Sequence, residues 1–199
     1  MKLLIATKNT NKVREIRDKL GHLPGLEILS LEDSGRIPDV VEDGDTFAEN
    51  AAKKARIVAA ATGTIALADD SGLVVDALDG GPGIYSARYG GTGLTDTERS
   101  LLLLEKMKTV PDGSRTARFV CAIAIADPEK LLYMAEGVCE GSIIHEMRGS
   151  KGFGYDPVFL VEGMGKTMAE LSMEEKNTLS HRARALEAAA LYIRKIPIM

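Results

Sequence analysis

Two clusters of carboxylates could hold a metal ion. One is Glu42-Asp43-Gly44-Asp45, and the other is Asp69-Asp70-Ser71, which follows the apolar run 65–68. Magnesium suits such oxygen ligands, because it commonly takes one or two protein carboxylates and completes its shell with water and phosphate oxygens. A plain turn explains residues 42–45 equally well. Two adjacent aspartates after a buried strand favour a site more strongly, because open α/β sheets bind ligands at strand ends.

A polar segment near the N-terminus could bind an anion. Residues 7–12, Thr-Lys-Asn-Thr-Asn-Lys, lie between a strand-like run and apolar residues at helical spacing. A helix N-terminus there would offer free backbone N–H groups and the positive end of the helix dipole to a phosphate. Taken alone, the segment favours ordinary helix capping over phosphate binding, because short cationic turns are common.

An aromatic loop could bind a flat base. In segment 151–156, Phe153 and Tyr155 alternate with Gly152 and Gly154, so the backbone could approach a ligand while a ring stacks on it. The rings could equally pack on the core. Further donors occur near a predicted helix start, where they could also be surface groups: Lys176, Ser180, His181 and Arg182.

Bulk composition limits the possible classes of function. The chain has 199 residues, 45% of them hydrophobic, and a net charge of -4, so it can bury a full core but lacks the basic surface that a long nucleic-acid footprint requires. Its two cysteines, Cys121 and Cys139, match no zinc pattern and are expected to be reduced and buried. No apolar run approaches the length of a membrane span. We therefore expect a soluble, cytoplasmic protein that binds neither nucleic acid nor membrane.

The elements that position these residues follow from periodicity and capping signals. The sequence predicts strands over 1–7, 65–68, 115–126, 130–144 and 158–161, with a second short apolar run at 73–75. It predicts helices after residue 12, from Thr46 to about 61, from Thr95, and from Ser180 to about 195. Residues 80–93 and 149–156 are predicted loops. Strands and helices alternate early, but a hairpin lies in the middle of the chain. The predicted fold class is therefore α/β, with a mixed β-sheet flanked by helices.

The segments in combination resemble the inosine triphosphate pyrophosphatase family, the non-standard purine NTP pyrophosphatases, from Leu4 to about Leu191. The resemblance is carried by six segments, at residues 6–12, 46–51, 68–73, 82–89, 152–157 and 180–182. One departure is Lys8, where many members have glycine, although Thr7, Asn9 and Lys12 are kept.

The resemblance implies a single domain over residues 1–199, built on an elongated mixed sheet with two lobes around a nucleotide-binding cleft and usually assembled as a homodimer. It implies hydrolysis of ITP, dITP and XTP to the monophosphate and pyrophosphate with Mg²⁺, which would remove these nucleotides from the pool. Selectivity would come from donors aimed at the 6-keto oxygen, because an adenine amino group would leave them unpaired.

The resemblance also implies roles for individual residues. In the N-terminal loop, the residues that would bind substrate are Thr7, Lys8, Asn9, Thr10, Asn11 and Lys12. The residues that would contact the phosphates are Thr7, Asn9, Lys12 and Lys54. Glu42 and Asp70 would ligate magnesium, Asp70 would accept the proton of the attacking water, and Ser71 would lie beside the phosphates. Those that would recognise the base are Phe153, Gly154, Tyr155, Asp156, Lys176, His181 and Arg182.

Two other functions are compatible with the residues. In a phosphomonoesterase, Asp70 would be a phosphoryl-accepting nucleophile, but Asp69-Asp70 lacks the alternating Asp-x-Asp spacing that such a site favours. A nucleotide-binding regulator would keep the basic and aromatic loops and would not need paired acidic clusters. Release of pyrophosphate separates all three functions.

Overall fold

The computed structural model describes residues 1–34 and 37–196. The strands in that part of the chain are β1 (Lys2–Ile5), β2 (Glu27–Leu29), β3 (Ala66–Val75), β4 (Thr116–Ala126), β5 (Leu131–Ile143) and β6 (Phe159–Val161). Its α-helices are α1 (Thr10–Leu20), α2 (Phe47–Thr62), α3 (Asp96–Lys106), α4 (Met173–Leu179) and α5 (His181–Ile193). None of these helices is long and apolar enough to cross a membrane.

The strands form one mixed sheet in the order β2-β1-β3-β4-β5-β6. Strand β1 is parallel to both β2 and β3, whereas β5 and β6 are antiparallel. Residues 127–130 join the neighbouring strands β4 and β5, a connection too short for a parallel crossover. The predicted mixed sheet flanked by helices is confirmed.

The chain groups into two compact units. Unit 1 comprises Met1–Asp70, Cys121–Gly137 and the segment from residue 181 onward, and unit 2 comprises Ser71–Val120 and Val138–Ser180. Strands β3, β4 and β5 contribute residues to both units.

Unit 1 has an apolar cluster on each face of its part of the sheet. Leu67 packs in one cluster with Ile16 of α1 and Leu186 of α5. Its neighbour Ala68 packs in the other cluster, with Ala55 of α2. Because successive strand residues point to opposite faces, α1 and α5 cover one face and α2 covers the other.

Unit 2 has its own core around α3 and the remaining strand segments. Leu73, Leu103 and Phe159 are fully buried in it. The rings of Phe119 and Phe159 lie 4.5 Å apart and are tilted by 47°, an arrangement that aromatic pairs favour.

The predicted helix starts at Thr46, Thr95 and Ser180 are confirmed. Thr46 and Thr95 each accept a hydrogen bond from the backbone N–H three residues on, and α5 begins directly after Ser180. Such caps satisfy amides that have no partner within the helix, which is why these signals locate helix starts well.

Two predictions about the elements were wrong, and two elements were missed. The strand predicted to end at residue 68 continues through the acidic residues to Val75, because the two aspartates have cationic partners. The glycine-rich segment 80–93, predicted as a loop, contains a 3-10 helix over Gly83–Arg88. Helix α4 and strand β2 were not predicted, and both are short.

Candidate active site

Asp69 and Asp70 lie side by side on β3 and face opposite sides of the sheet. Asp69 has the parity of Leu67, so it points toward α1 and α5, and Asp70 has the parity of Ala68, so it points toward α2. Both aspartates are buried. One strand therefore supplies a carboxylate to each of two separate groups of residues in unit 1.

Asp69 is the centre of a buried ion-pair network. Its Oδ2 lies 2.8 Å from Nζ of Lys12 in α1, and it accepts hydrogen bonds of 3.2 Å from both Nε and Nη2 of Arg182 in α5. Nη1 of Arg182 donates to Oε2 of Glu15 at 2.5 Å. The network ties α1, α5 and β3 together and holds Lys12 on the same carboxylate as Arg182.

These neighbours keep Asp69 ionised. Burial by itself would raise the pKa of Asp69, but attraction to Lys12 and Arg182 outweighs it and holds that pKa well below its usual range. The pKa of Arg182 lies above its usual value, since its attraction to Asp69 outweighs the effect of burial. Both partners are therefore charged at neutral pH.

Asp70 belongs to a second group, the carboxylate cluster, which consists of Glu42, Lys54 and Asp70. Nζ of Lys54 lies 2.5 Å from Oε1 of Glu42 and 3.6 Å from Oδ1 of Asp70. Lys54 comes from the buried face of α2, and the chain segment before that helix supplies Glu42. One ammonium group thus draws together the two carboxylates that the sequence predicts as metal ligands.

The carboxyl group of Asp70 has different electrostatic surroundings from that of Asp69. Burial raises the pKa of Asp70, and attraction to Lys54 only partly offsets this. Its Oδ2 is buried and has no hydrogen-bond partner among the described residues. A buried carboxylate oxygen without a donor is costly unless a cation or a water molecule binds it.

Lys54 is fully charged in this environment. Burial lowers the pKa of Lys54, but attraction to Asp69, Asp70 and Glu42 outweighs it, so that pKa lies above its ordinary value. An ammonium group held in place at a buried position can stabilise a phosphate or a leaving anion.

The segment that carries Glu42 is fixed to α2 by backbone contacts. The N–H of Gly44 donates to Oδ1 of Asn50 at 2.8 Å, and the N–H of Asp45 donates to Oε2 of Glu49 at 2.8 Å. A Cβ at Gly44 would lie 2.8 Å from that of Glu49, so the close approach requires glycine. The turn interpretation and the site interpretation of residues 42–45 are therefore compatible.

The polar segment 7–12 caps α1. Oδ1 of Asn9 accepts from the N–H groups of Asn11 and Lys12 at 3.0 and 3.2 Å, and Oγ1 of Thr7 accepts from the N–H of Asn9 at 3.2 Å. Lys8 is exposed and pairs with Asp39. Because Asn9 already satisfies two helix amides, a ligand here would depend chiefly on side chains such as that of Lys12.

The aromatic loop of unit 2 is built on a buried ion pair. Nζ of Lys176, in α4, donates to Oδ2 of Asp156 at 2.6 Å, and both side chains are buried. The same carboxylate oxygen accepts from the N–H of Phe153 at 3.2 Å. A Cβ at Gly152 would lie 2.0 Å from this oxygen and 2.3 Å from the lysine nitrogen. Glycine is therefore needed at position 152.

The predicted site residues fall into three groups. Lys12 joins the Asp69 network, whereas Lys54, Glu42 and Asp70 form the carboxylate cluster. The aromatic loop and Lys176 lie in unit 2, and Ser71, partly exposed, is the first residue of that unit. His181 and Arg182 are buried in the first turn of α5 in unit 1.

Sequence reasoning missed several residues that support these groups. Asn50 lies within segment 46–51, which carries part of the family resemblance, but nothing local indicated its bond to Gly44. Glu15 follows Lys12 by three positions on α1, and Asp69 was treated only as the neighbour of Asp70. Their partners lie far away in sequence, since Asp69 and Arg182 are 113 positions apart.

Comparison with known proteins places this chain among similar sequences and folds. Residues 3–192 match the model of the Ham1 family. A dITP/XTP pyrophosphatase from Geobacter sulfurreducens is 52% identical over 185 residues, 93% of this chain and 92% of that protein. A dITP/XTP pyrophosphatase from Desulforamulus reducens is 48% identical over 198 residues, 100% of this chain and 98% of that protein.

Solved structures show the same fold. A HAM1 protein from Coxiella burnetii superposes with a TM-score of 0.88 at 41% identity, over 97% of this chain and 98% of that one. A nucleoside-triphosphatase and dITP/XTP pyrophosphatase from Mycobacterium abscessus superposes with a TM-score of 0.77 at 42% identity, over 100% of both chains.

Proposed function

Because this chain belongs to the Ham1 family, we propose that it hydrolyses the non-standard purine nucleotides ITP, dITP and XTP to the monophosphate and pyrophosphate. It is a nucleoside triphosphate pyrophosphatase, which removes these nucleotides from the pool. The observation that carries the proposal is the carboxylate cluster, in which Lys54 holds Glu42 and Asp70 together and Oδ2 of Asp70 is left available to a cation or a water molecule.

Glu42 and Asp70 are the residues that would hold Mg²⁺. The donor set fits the ion, because two carboxylates suffice when water and phosphate oxygens complete an octahedral shell. The buried oxygen of Asp70 also needs a cationic or donor partner. When bound, the ion would neutralise charge on the triphosphate.

The residues of the chain supply the remaining chemistry. Lys12 and Lys54 contact phosphate oxygens, with Thr7 and Asn9 completing the phosphate site, and Lys8, Thr10 and Asn11 line the same segment. Asp70 accepts a proton from the water that attacks the α-phosphorus. Pyrophosphate leaves with its charge compensated by the lysines. Ser71 lies beside the phosphates.

We assign base recognition to the aromatic loop. Phe153 stacks on the base, and Gly154, Tyr155, Asp156 and Lys176 shape the loop around it. His181 and Arg182 are further base contacts in this proposal. A base contact by Arg182 would have to coexist with its bonds to Asp69 and Glu15, or replace them.

The experiment that tests the proposal is a turnover panel of ITP, dITP, XTP, GTP and ATP with Mg²⁺, in which monophosphate and pyrophosphate are both quantified. We expect one of each product per turnover, with ITP, dITP and XTP preferred. Run in oxygen-18 water, the reaction should place the label in the monophosphate, because water attacks the α-phosphorus. Label in pyrophosphate, or release of orthophosphate, would contradict the proposal.

The assembly and its location are also proposals. We expect a homodimer in the cytoplasm, where the nucleotide pool is held. Light scattering after gel filtration would check the dimer, since a single peak at the mass of one chain would exclude it.

A further inference from the structure

Helix α3 binds both backbone polar groups of one residue of the aromatic loop, Gly154, which has a left-handed backbone with φ of 60°. The N–H of Gly154 donates to Oδ2 of Asp96 at 2.8 Å, and its carbonyl oxygen accepts from Oγ of Ser100 at 3.3 Å. Asp96 and Ser100 are one turn apart on α3, so a single face of the helix holds both polar groups of this glycine.

Asp96 is an exposed residue whose side chain is nevertheless held in place. Its side chain is 56% exposed, and its Oδ1 lies 3.5 Å from Nη1 of Arg99, one turn on, whose side chain is only 13% exposed. Ser100 is completely buried. A carboxylate held in this way offers an acceptor of fixed position to the loop, 58 positions away in sequence.

The residues on either side of Gly154 are also held by groups outside α3. Phe153 is held through its N–H by Asp156, and the hydroxyl of Tyr155 donates to the carbonyl oxygen of Ser86 at 2.9 Å. Asp96 therefore restrains the peptide that links Phe153 to Gly154, and Ser100 restrains the next one, between Gly154 and Tyr155. The first of these peptides belongs to the backbone that carries the Phe153 ring, so its orientation limits where that ring can lie.

We propose that Asp96, supported by Ser100, is a positioning residue that determines how well the enzyme discriminates between bases. The inference rests on the proposed function, in which Phe153 stacks on the base. A segment containing Gly152 and Gly154 loses much conformational entropy when a ligand orders it. The two bonds from α3 order it beforehand, so the binding of the base need not supply that free energy.

The test compares three variants of the full-length enzyme. Asp96→Ala removes the acceptor, Asp96→Asn keeps an acceptor oxygen, and Glu98→Ala is the matched control. Glu98 lies in the same first turn and accepts from the N–H of Thr95 at 2.7 Å, so its loss weakens the helix cap without touching Gly154. Thermal melting, and KM and kcat for ITP and ATP, are measured for each variant.

We expect Asp96→Ala to raise KM for ITP by about 3- to 10-fold with little change in kcat, and to lower the ITP over ATP ratio of kcat/KM. Inhibition by inorganic tripolyphosphate, which has no base, should not change. Asp96→Asn should recover most of the affinity, and Glu98→Ala should lower the melting temperature without changing KM. Equal KM values for Asp96→Ala and Glu98→Ala would overturn the proposal.

A fluorescence measurement reports directly on the mobility and exposure of the aromatic loop. The chain contains no tryptophan, so Phe153→Trp provides a single reporter. Adding Asp96→Ala should lower its anisotropy and increase its quenching by acrylamide, whereas adding Glu98→Ala should not. If Asp96→Ala fails to fold, Ser100→Ala replaces it and should shift both signals in the same direction by less. Unchanged signals in a folded variant would refute the positioning role.

Phe153→Ala distinguishes failure of base recognition by the aromatic loop from failure of the positioning role of Asp96. If it leaves KM for ITP unchanged, the loop does not bind the base, and the base-recognition part of the proposed function fails along with the role of Asp96. If it raises KM while Asp96→Ala does not, only the role of Asp96 fails.

Discussion

Asp69 and Asp70 are neighbours in sequence, yet burial affects their carboxyl groups differently. Asp69 has two close cationic partners, so the pKa of Asp69 is lowered, and its ionised form stabilises the fold. Asp70 has Lys54 at 3.6 Å and a second carboxylate nearby, so burial dominates and raises the pKa of Asp70. In the proposed mechanism Asp70 serves proton transfer and metal binding, whereas Asp69 holds α1 and α5 on β3.

We expect Asp70→Asn to lower kcat for ITP by about 100- to 10,000-fold, because the amide accepts no proton and ligates magnesium poorly. The folded variant should be checked by circular dichroism. Near-parental kcat at saturating Mg²⁺ would shift the catalytic role to Asp69.

The same variant should be as stable as the parent, or more stable, in metal-free solution at neutral pH. The folded-state pKa of Asp70 lies above its ordinary value of 3.8, so its contribution to stability is complete below that value and is lost as the pH rises through the folded-state pKa. At neutral pH the ionised carboxylate therefore costs stability, and asparagine removes that cost. Melting temperatures in EDTA from acid to neutral pH would check this, and a variant that melts below the parent at neutral pH would contradict it.

Arg182→Ala should destabilise the protein strongly. It would leave Asp69 buried with Lys12 as its only close cationic partner in the network, and breaking a buried ion pair typically costs about 3–5 kcal/mol. Unfolding in urea measures the loss. The control, Lys166→Ala, breaks the half-exposed pair with Glu175 and should cost far less, because solvent screens an exposed pair. If Arg182 also contacts the base, the ITP over ATP ratio of kcat/KM falls in the same variant.

The sequence singles out candidate site residues but not the residues with which they pair. Asp70 and Glu42 stood out because acidic residues next to turn-forming residues are a local pattern. The bond from Arg182 to Asp69 joins residues 113 positions apart, and no local pattern indicates it. The sheet face on which each aspartate lies can be assigned only from the structure, because only there does β3 continue through both residues.

At the scale of elements, α4 holds the aromatic loop through Lys176. The position of this lysine depends on a well-formed start of the helix. Ser172 and Glu175 form a capping box at that start. Lys166 and the backbone N–H of Ser172 both bind the carboxylate of Glu175, and they lower the pKa of Glu175 to about 2. Only seven residues long, the helix shows too few turns to be recognised from hydrophobic periodicity.

Gly152→Ala should weaken both the fold and the affinity for ITP. The new Cβ would lie 2.0 Å from Oδ2 of Asp156 and 2.3 Å from Nζ of Lys176, so the buried pair would have to separate. Gly154→Ala is a matched control, because its φ is also positive but nothing lies within 4 Å of its Cβ. That control should cost about 1–2 kcal/mol of backbone strain. Equal melting temperatures and KM values for the two variants would contradict the prediction that the Cβ at residue 152 separates the buried pair.

Strand β3 shows why prediction of the elements failed where it did. Ending the strand at residue 68 follows the rule that charged residues do not continue a buried strand. The rule failed because Lys12, Arg182 and Lys54 neutralise the two aspartates from three different helices. The mixed sheet could be predicted because its hairpin and its helix caps are local signals.

At the scale of the whole molecule, each unit contains one buried thiol. Cys121 lies in unit 1 and Cys139 in unit 2, and neither is in a disulfide. Burial raises the pKa of Cys121 to about 12, so this thiol is unreactive in the folded protein. Labelling of either cysteine therefore requires its surroundings to open.

We expect the single-cysteine variants Cys121→Ala and Cys139→Ala to be labelled by a thiol reagent at the same slow rate. Strands β3, β4 and β5 supply residues to both units, so local opening of one unit should disrupt the other. The rates are measured at increasing reagent concentration until opening becomes limiting. Faster labelling at one cysteine would show that its unit opens independently.

The order of the segments along the chain has a consequence for biosynthesis. Leu3 of β1 packs in the same cluster as Leu186 and Ile193 of α5, so this strand needs a helix that is made much later. All segments of unit 2 leave the ribosome before α5 does. The apolar face that β1 and α1 present to α5 therefore stays uncovered for most of translation. Chaperones that hold nascent chains would bind this face until residue 193 emerges from the exit tunnel.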